Sequence, residues 1–200
     1  RLNYQCSPYH TDTALYPPIK QIEFAAGIAA GDSNETRLNK LEALNLHGDP
    51  ALYAALLGLD GSGRYAPLNV TPQRQRALTL SALAAQIVVL SKIKPVLVVF
   101  EDAHWVDATT LELLDLCLDQ ISSSRVLILI TARPSFEHGF GGHPIVTRLA
   151  LNRLGREQVN GIIAKITGGK LLPAELVEEI SSKTDGVPLF VEELTKTVLE

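Results

Sequence analysis

The sequence has little that marks a disulfide-rich, membrane-spanning or nucleic-acid-binding protein. It contains two cysteines, Cys6 and Cys117, and their separation fits no metal or redox spacing. Unpaired thiols suit a reducing cytosol, so we expect a cytoplasmic protein. The formal net charge is −4, which argues against direct nucleic-acid binding by this segment because phosphate backbones need a basic face. The longest apolar runs fall well short of the roughly 18 residues that span a bilayer, so no membrane partner is expected.

Two widespread catalytic motifs are also missing. No serine lies in a GxSxG setting, and the phosphate-binding pattern GxxxxGK[ST] does not occur. The nearest imitation is ITGGKLL, in which Gly169 and Lys170 are followed by Leu171. This segment follows a predicted helix and not a strand, so it lacks the structural context of a phosphate loop.

The composition and the order of elements predict a mixed α/β chain. Hydrophobic residues make up 46% of the sequence, which is enough to bury a core, and 200 residues suit one domain with a small appendage. Strands and helices alternate at first and give way to helices alone, so we predict an α/β core at 1–152 and a helical subdomain at 153–200. The chain begins at Arg1 and ends inside an apparent helix, and we expect it to be a fragment of a longer protein.

Four segments are predicted to be strands. The segment VLVVF, residues 96–100, is apolar at every position, which predicts a central parallel strand covered by helices on both faces. RVLILITAR at 125–133 and IVTRLAL at 145–151 predict two more strands, and LNYQC at 2–6 predicts a short one.

Helix starts are indicated by capping residues. Asp49 and Thr71 are each followed by a proline, which predicts the first turn of a helix at both places. Asp107 or Thr109 is predicted to begin the helix after the central strand. Three amphipathic helices are predicted near the C-terminal end, at 155–166, 173–184 and 188–199.

Two adjacent acids, Glu101 and Asp102, follow directly on the central strand. Ligands of an open parallel sheet bind at the carboxyl ends of its strands. Because side chains alternate along a strand, the two acids point in different directions, so one can face a cation while the other polarises a water. An apolar strand that ends in acids is the Walker B arrangement, which predicts metal-binding and catalytic roles for both residues. A solvated strand end is the alternative interpretation.

Arg133 lies just after the next apolar strand, at the matching edge of the predicted sheet. An arginine there can sense or neutralise a γ-phosphate, and a surface cation on a loop is the alternative. His10, Asp12 and His104 could each bind a metal, but loop polarity and partial exposure explain them better. Trp105 is expected to pack beneath the next helix.

Five segments in this order resemble a known family: CSPYHTDTALYPPI, FEDAHWVDATTLELLD, TARPSFE, LNRLG and TDGVPLFVEELTKTVLE. They are similar to the ATPase module of signal-transduction P-loop NTPases of the STAND type, which are AAA-related. More narrowly, they resemble the module that follows a class III adenylate or guanylate cyclase domain in bacterial multidomain proteins. The resemblance covers nearly the whole chain.

The resemblance implies ATP and Mg²⁺ as cofactors and assigns roles to five residues. Glu101 and Asp102 stand at the Walker B acids, and Arg133 stands at the sensor-1-like arginine. Gly186 and Pro188 form the GxP motif, in which the proline lies against the nucleotide base. Glu101 departs from the usual aspartate and reaches one methylene further, which bears on how Mg²⁺ is held.

The resemblance also implies the fold: a truncated P-loop NTPase with three α/β/α layers and a parallel sheet, followed by a small helical subdomain. The family's strand order is 5-1-4-3-2, and its first strand and phosphate loop should precede Arg1. We therefore predict a three-stranded parallel core in the order 4-3-2, with the segment 145–151 detached or shifted.

The function implied is an ATP-binding or ATPase regulatory module of an adenylate-cyclase-like signalling protein. Its partners would be nucleotide and the parent's other domains, and it could form a nucleotide-dependent oligomer. The alternatives are a non-hydrolysing nucleotide-binding or protein-interaction scaffold, and the ATPase module of a transcription regulator.

Overall fold

The computed structural model of the protein describes residues 1–136 and 139–199. It is a mixed α/β structure, and its described residues form one three-stranded parallel sheet and eight α-helices. The chain divides into two compact units, Arg1–Thr147 and a second unit that begins at Arg148. The sequence placed the boundary five residues later, at 152/153, where the helical segments begin.

The first unit contains the sheet and five helices. A short 3₁₀ turn follows the second strand at Ala103–Trp105, and another lies at Gly139–Gly142. The strands and α-helices, in chain order, are β1 Leu2–Gln5, α1 Tyr16–Ala26, α2 Asn34–Ala43, α3 Pro50–Leu56, α4 Pro72–Ile93, β2 Val96–Glu101, α5 Ala108–Ile121 and β3 Val126–Ile130.

The helix starts follow the capping chemistry of the sequence. Asp49 and Thr71 accept hydrogen bonds from the first turns of α3 and α4, as predicted. Of the two candidates before α5, Asp107 is the cap, and its carboxylate accepts from the backbone N–H groups of Thr109 and Thr110. These local bonds satisfy N–H groups that have no partner within the helix.

The sheet has the order β1-β2-β3, and both pairs are parallel. Val98 in the middle of β2 lies opposite Leu2 on one side and Ile128 on the other. The predicted three-stranded parallel core, with VLVVF as its central strand, is therefore confirmed.

One face of the sheet forms the core of the first unit, and the other carries exposed leucines. Tyr4, Val98 and Phe100 belong to a single hydrophobic cluster together with residues from all five helices. On the opposite face, Leu127 and Leu129 of β3 are 66% and 51% exposed. The prediction that helices cover both faces, and with it the three-layer α/β/α arrangement, is therefore not confirmed for this stretch of chain.

The topology explains why this face is exposed at β3, although Val99 of β2 on the same face is only 5% exposed. A connection between parallel strands is almost always right-handed, so its direction along the sheet decides which face its helices cover. The chain moves from β1 to β2 to β3 in one direction, so both connections lie on the same face. Helices on the other face would require a connection that runs the opposite way.

The predicted strand at 145–151 does not form. These residues have no regular secondary structure, and Leu149 and Leu151 are 80% and 96% exposed. A strand needs a neighbour to pair its backbone groups, and within the described residues this segment has none. The expectation that it would be detached is met, but the expectation that it is a strand is wrong.

Helix α4 is the one helix in the described residues that is long and apolar enough, by length and composition, to span a membrane. A helix in a hydrophobic core can have the same length and apolar composition. Leu80, Leu83 and Ile87 of α4 are almost completely buried and belong to the same cluster as the sheet residues. Their burial accounts for the apolar character of the helix.

The second unit consists of three helices, as the sequence predicts: α6 Arg156–Ile166, α7 Ala174–Thr184 and α8 Pro188–Leu199. Each presents an apolar stripe to the others. The four buried residues at their centre are Val159, Ile163, Ile180 and Val191. This small core accounts for the period of the apolar residues in all three segments.

Candidate functional site

The candidate site lies at the carboxyl end of the central strand. Glu101 is the last residue of β2 and lies opposite Gln5, the last residue of β1. The carbonyl oxygen of Glu101 accepts a hydrogen bond of 3.0 Å from the backbone N–H of Cys6, which extends the pairing one residue beyond β1. The backbone of Glu101 is therefore held in the sheet, and its side chain lies at the edge.

Asp102 lies in a sharp turn immediately after the strand. Its φ of +56° is in the left-handed region, which costs a non-glycine residue roughly 1–2 kcal/mol. The hydroxyl oxygen of Thr131 accepts the N–H of Asp102 at 3.1 Å, and the Gln5 side-chain amide donates to Oδ2 of Asp102 at 3.2 Å. Both neighbouring strands thus help to hold the aspartate in this conformation.

The two acids have different neighbours at the sheet edge. Glu101 continues the alternation of β2, which places its side chain on the face of the sheet that carries Leu127 and Leu129. Its carboxylate lies 3.7 Å from a guanidinium nitrogen of Arg1, and both side chains are partly exposed. A solvent-exposed pair of this kind contributes little to stability, so Glu101 remains available to a ligand.

Arg133 lies three residues beyond β3, at the same edge of the sheet. Its guanidinium carbon is 5.8 Å from the centre of the Trp105 ring, which belongs to the 3₁₀ turn just after the two acids. A cation over an aromatic face is held by a weak attraction. The structure therefore brings Arg133 next to the segment that carries Glu101 and Asp102.

His104, between the acids and Trp105, has an unusual environment. Both of its ring nitrogens are buried, and neither has a hydrogen-bond partner in the part of the chain that the structure describes. Buried polar atoms in native proteins are nearly always paired with protein or ordered water. Ordered water or a ligand could therefore pair with these ring nitrogens at the edge of the sheet.

Gly186 and Pro188 belong to the second unit. Gly186 has a φ of +69°, and a Cβ atom at this position would clash with the carbonyl oxygen of Leu154. The N–H of Leu154 donates to the carbonyl oxygen of Gly186 at 2.8 Å, so the glycine joins the LNRLG segment to the start of α8. Pro188 begins α8 and is exposed, as are Leu189 and Phe190 after it.

Other candidate ligand sites can be assigned to structural roles. The ITGGKLL segment ends helix α6: Gly168 and Gly169 both have positive φ, and the N–H of Gly169 bonds to the carbonyl oxygen of Ala164. This is a helix C-terminus and not a phosphate loop, as its sequence context indicates. His10 stacks on Tyr16 with ring centres 3.7 Å apart.

The residues at the sheet edge offer hard oxygen ligands and no reactive thiol. Within the described residues, no group of three or more histidine, cysteine or acidic side chains could hold a metal ion. Mg²⁺ commonly needs only one or two carboxylates, because it keeps several waters, so Glu101 and Asp102 suit it. Burial raises the pKa of Cys6 to about 12, and the charges of Asp107 and Asp102 add to this effect. The neutral thiol is a poor nucleophile.

The sequence did not predict three interactions that hold the residues of this edge in place. Gln5 and Thr131 bind Asp102, and Asp107 does more than begin α5. The buried carboxylate of Asp107 also accepts the N–H of Leu15 at 3.2 Å, which anchors the loop that follows β1. Gln5 and Thr131 could have been suspected, because each follows or ends a strand whose carboxyl end meets the same edge.

Comparisons with known proteins give one relative of unassigned role. No model of a known protein family matches the chain, and no solved structure matches it. A protein of Rhizobium meliloti (strain 1021) named "Uncharacterized protein R02095" is 30% identical over 204 aligned residues. The alignment covers 98% of this chain and 20% of that protein. The chain thus spans about a fifth of the length of this relative.

Proposed function

We propose that the chain is part of an ATP-binding regulatory module of a cytoplasmic signalling protein, related to STAND-type P-loop NTPases and associated with an adenylate or guanylate cyclase. The observation that carries the proposal is the placement of Glu101 and Asp102 at the carboxyl end of the central parallel strand. Thr131 and Arg133, which follow the neighbouring strand β3, lie at the same edge.

Each residue at this edge would have a separate role in binding Mg-ATP. One of the two acids holds Mg²⁺, directly or through water, and the other orients a water molecule. Arg133 responds to the γ-phosphate, since a guanidinium can donate two hydrogen bonds to phosphate oxygens. Thr131 and Gln5 keep Asp102 in its turn, so their role is to position the acid.

The exposed face and the unpaired edge of β3 indicate where a further strand, with its phosphate loop and helix, could pack. Val96 donates its N–H to the carbonyl of Arg125, and Thr131 donates to that of Phe100. Because bonding alternates along a parallel strand, the backbone groups of Val126, Ile128 and Ile130 point away from β2. A further strand could pair there, and its helix could cover Leu127 and Leu129.

Such a strand and helix would bring a phosphate loop to Glu101. In parallel α/β sheets the loop after a strand, and the helix N-terminus that follows it, bind phosphate at the carboxyl edge. Glu101 directs its side chain toward the face that this helix would cover. We infer that this unit precedes Arg1 in the parent protein, and the relative of which this chain matches a fifth is long enough to contain one.

The test uses a longer chain that includes the segment before Arg1. We expect the double substitution Glu101→Ala/Asp102→Ala to abolish ATP turnover and to reduce the thermal stabilisation that Mg-ATP provides. The matched control is Asp12→Asn, which changes an exposed carboxylate in the loop after β1. Turnover at the native rate in the double variant would remove both acids from the mechanism.

The 200-residue chain alone is expected to hydrolyse no ATP, because its sequence contains no phosphate loop. A coupled assay for ADP release, with and without Mg²⁺, checks this directly. Magnesium-dependent turnover by this chain would contradict the assignment of the phosphate loop to a preceding segment.

A second function is favoured by Glu101, which stands where the family pattern has aspartate. The longer side chain could support nucleotide binding without turnover, and the module would then be a scaffold for partner domains. Thermal stabilisation by a saturating nucleotide adds a few kcal/mol whether or not hydrolysis follows. Stabilisation by ATP without ADP release, in the longer chain, would favour the scaffold.

A further inference from the structure

The first unit contains a cavity on the core side of the sheet, away from the two acids. It has a volume of about 240 Å³ and lies between β1, α1, α3 and α4. Eleven of its thirteen lining residues are apolar or aromatic, and the other two are Gln21 and Gln86. Among the described residues that line it, none carries a charge. A cavity of this composition disfavours charged ligands, because a buried charge without a partner is strongly destabilising.

Tyr4 belongs to the wall of this cavity. The residue is only 6% exposed and its ring packs against Phe100, with ring centres 4.6 Å apart. Its hydroxyl has no hydrogen-bond partner among the described residues, whereas the hydroxyl of Tyr53, also in the cavity wall, donates to the carbonyl of His47 at 2.7 Å. Burial raises the pKa of Tyr4, so the hydroxyl keeps its proton and remains a donor.

The two glutamines also present hydrogen-bond donors. The side-chain oxygen of Gln21 accepts the backbone N–H of Asn3, and that of Gln86 accepts the backbone N–H of His47. These bonds fix the orientation of both amides. Their NH₂ groups make no hydrogen bond within the described part of the chain, so each can act as a donor.

We propose that this cavity binds a small, neutral, mainly apolar molecule that carries one hydrogen-bond-accepting oxygen. A cavity of about 150 Å³ with apolar walls is sufficient for benzene, so the larger volume here suits an aromatic ketone or aldehyde. The oxygen would accept from Tyr4 and the apolar body would contact Ile22, Leu83 and Ile87. The proposal does not depend on nucleotide binding, because neither Glu101 nor Asp102 lines the cavity.

Two probes of similar size test the proposal on the native chain. Acetophenone carries a carbonyl oxygen, and ethylbenzene has nearly the same shape without one. We expect saturable binding of acetophenone in an NMR titration, with methyl shifts at Leu83 and Ile87. Binding should be about two- to tenfold tighter than that of ethylbenzene, the range that one net hydrogen bond provides. Absence of saturable acetophenone binding to the folded chain would overturn the proposal.

Variants locate the site and test the hydroxyl. Ala25 is exposed at the mouth of the cavity, so Ala25→Trp should block entry while leaving the chain folded. The matched control, Ala55→Trp, changes an exposed alanine of α3 that does not line the cavity. Tyr4→Phe should remove most of the preference for acetophenone over ethylbenzene.

The outcomes separate the two parts of the proposal. Loss of binding in Ala25→Trp, with native binding in Ala55→Trp, would support the location. Native binding in Ala25→Trp would overturn it. A Tyr4→Phe variant that keeps the full preference would overturn the proposed class of ligand, because the carbonyl would then have no partner at Tyr4.

Discussion

The amide nitrogen of Leu154 donates a hydrogen bond of 2.8 Å to the carbonyl oxygen of Gly186. This bond joins two segments of the second unit that are distant in sequence, and it brings the backbones so close that a side chain at 186 would clash with Leu154. The glycine of the GxP motif therefore has a structural role in this chain, whatever its role toward nucleotide.

Replacing Gly186 with alanine should destabilise the second unit. Gly168 in the same unit has a similar φ, +65° against +69°, but a Cβ atom there would meet nothing within 4 Å. Gly168→Ala therefore measures the cost of the left-handed backbone alone, about 1–2 kcal/mol. We expect Gly186→Ala to cost about 1–3 kcal/mol more, from the clash. Urea unfolding followed by far-UV circular dichroism compares the two, and equal losses would contradict the close approach.

Asp107 should contribute more to the stability of the fold than an ordinary helix cap does. Asp107→Ala removes the cap of α5 and leaves the buried N–H of Leu15 without a partner, for an expected cost of roughly 2–4 kcal/mol. Ser33→Ala removes an exposed cap that binds only the start of α2 and should cost about 0.5–1 kcal/mol. Urea unfolding measured by the fluorescence of Trp105, the only tryptophan, gives both values. Similar costs would show that the link to Leu15 is unimportant.

The exposed leucines of β3 should contribute little to the stability of this chain. They should contribute much more to the stability of a chain that is extended before Arg1. Leu127→Thr/Leu129→Thr keeps residues that favour strands and should change the stability of the 200-residue chain by about 0.5 kcal/mol or less per site. Leu114→Ala in the buried face of α5 should cost about 2–5 kcal/mol.

In a chain extended before Arg1, the same leucine pair should become strongly destabilising if a further strand and helix cover it. Urea unfolding of both chains makes the comparison. An unchanged effect in the extended chain would contradict the proposed position of the phosphate-binding unit.

Stability should fall at alkaline pH because buried thiols resist ionisation. Burial raises the pKa of Cys6 and of Cys117 to about 12 in the folded chain, from an ordinary value of 9.0. Above about pH 9 the unfolded chain releases these protons and the folded chain does not, so the unfolded state is favoured. The stability due to these thiols is complete below pH 9 and is lost between pH 9 and 12.

Urea midpoints measured at pH 7, 9, 10 and 11 check this dependence. The double variant Cys6→Ala/Cys117→Ala should show a shallower fall than the native chain over the same range. If the urea midpoints of the two proteins fall equally with pH, the thiols do not cause the loss of stability.

The strands and helix starts could be predicted because they depend on neighbours in sequence. An unbroken apolar run predicts VLVVF as the central strand, and Asp49 and Thr71 begin their helices through bonds to residues two or three positions away. The same pattern was wrong for 145–151, because apolar residues make a strand only where a partner strand is present.

The sequence by itself determined the apolar central strand, the caps of the helices and the position of Glu101 and Asp102 at the end of that strand. These features follow from local periodicity and from the alternation of strands and helices. Only the tertiary structure decided that Thr131 and Gln5 hold Asp102, that Leu154 approaches Gly186, that one face of the sheet is exposed at β3 and that Tyr4 borders a cavity. Each of these depends on how distant segments pack, and packing is set by shape and volume that no local pattern of residues records.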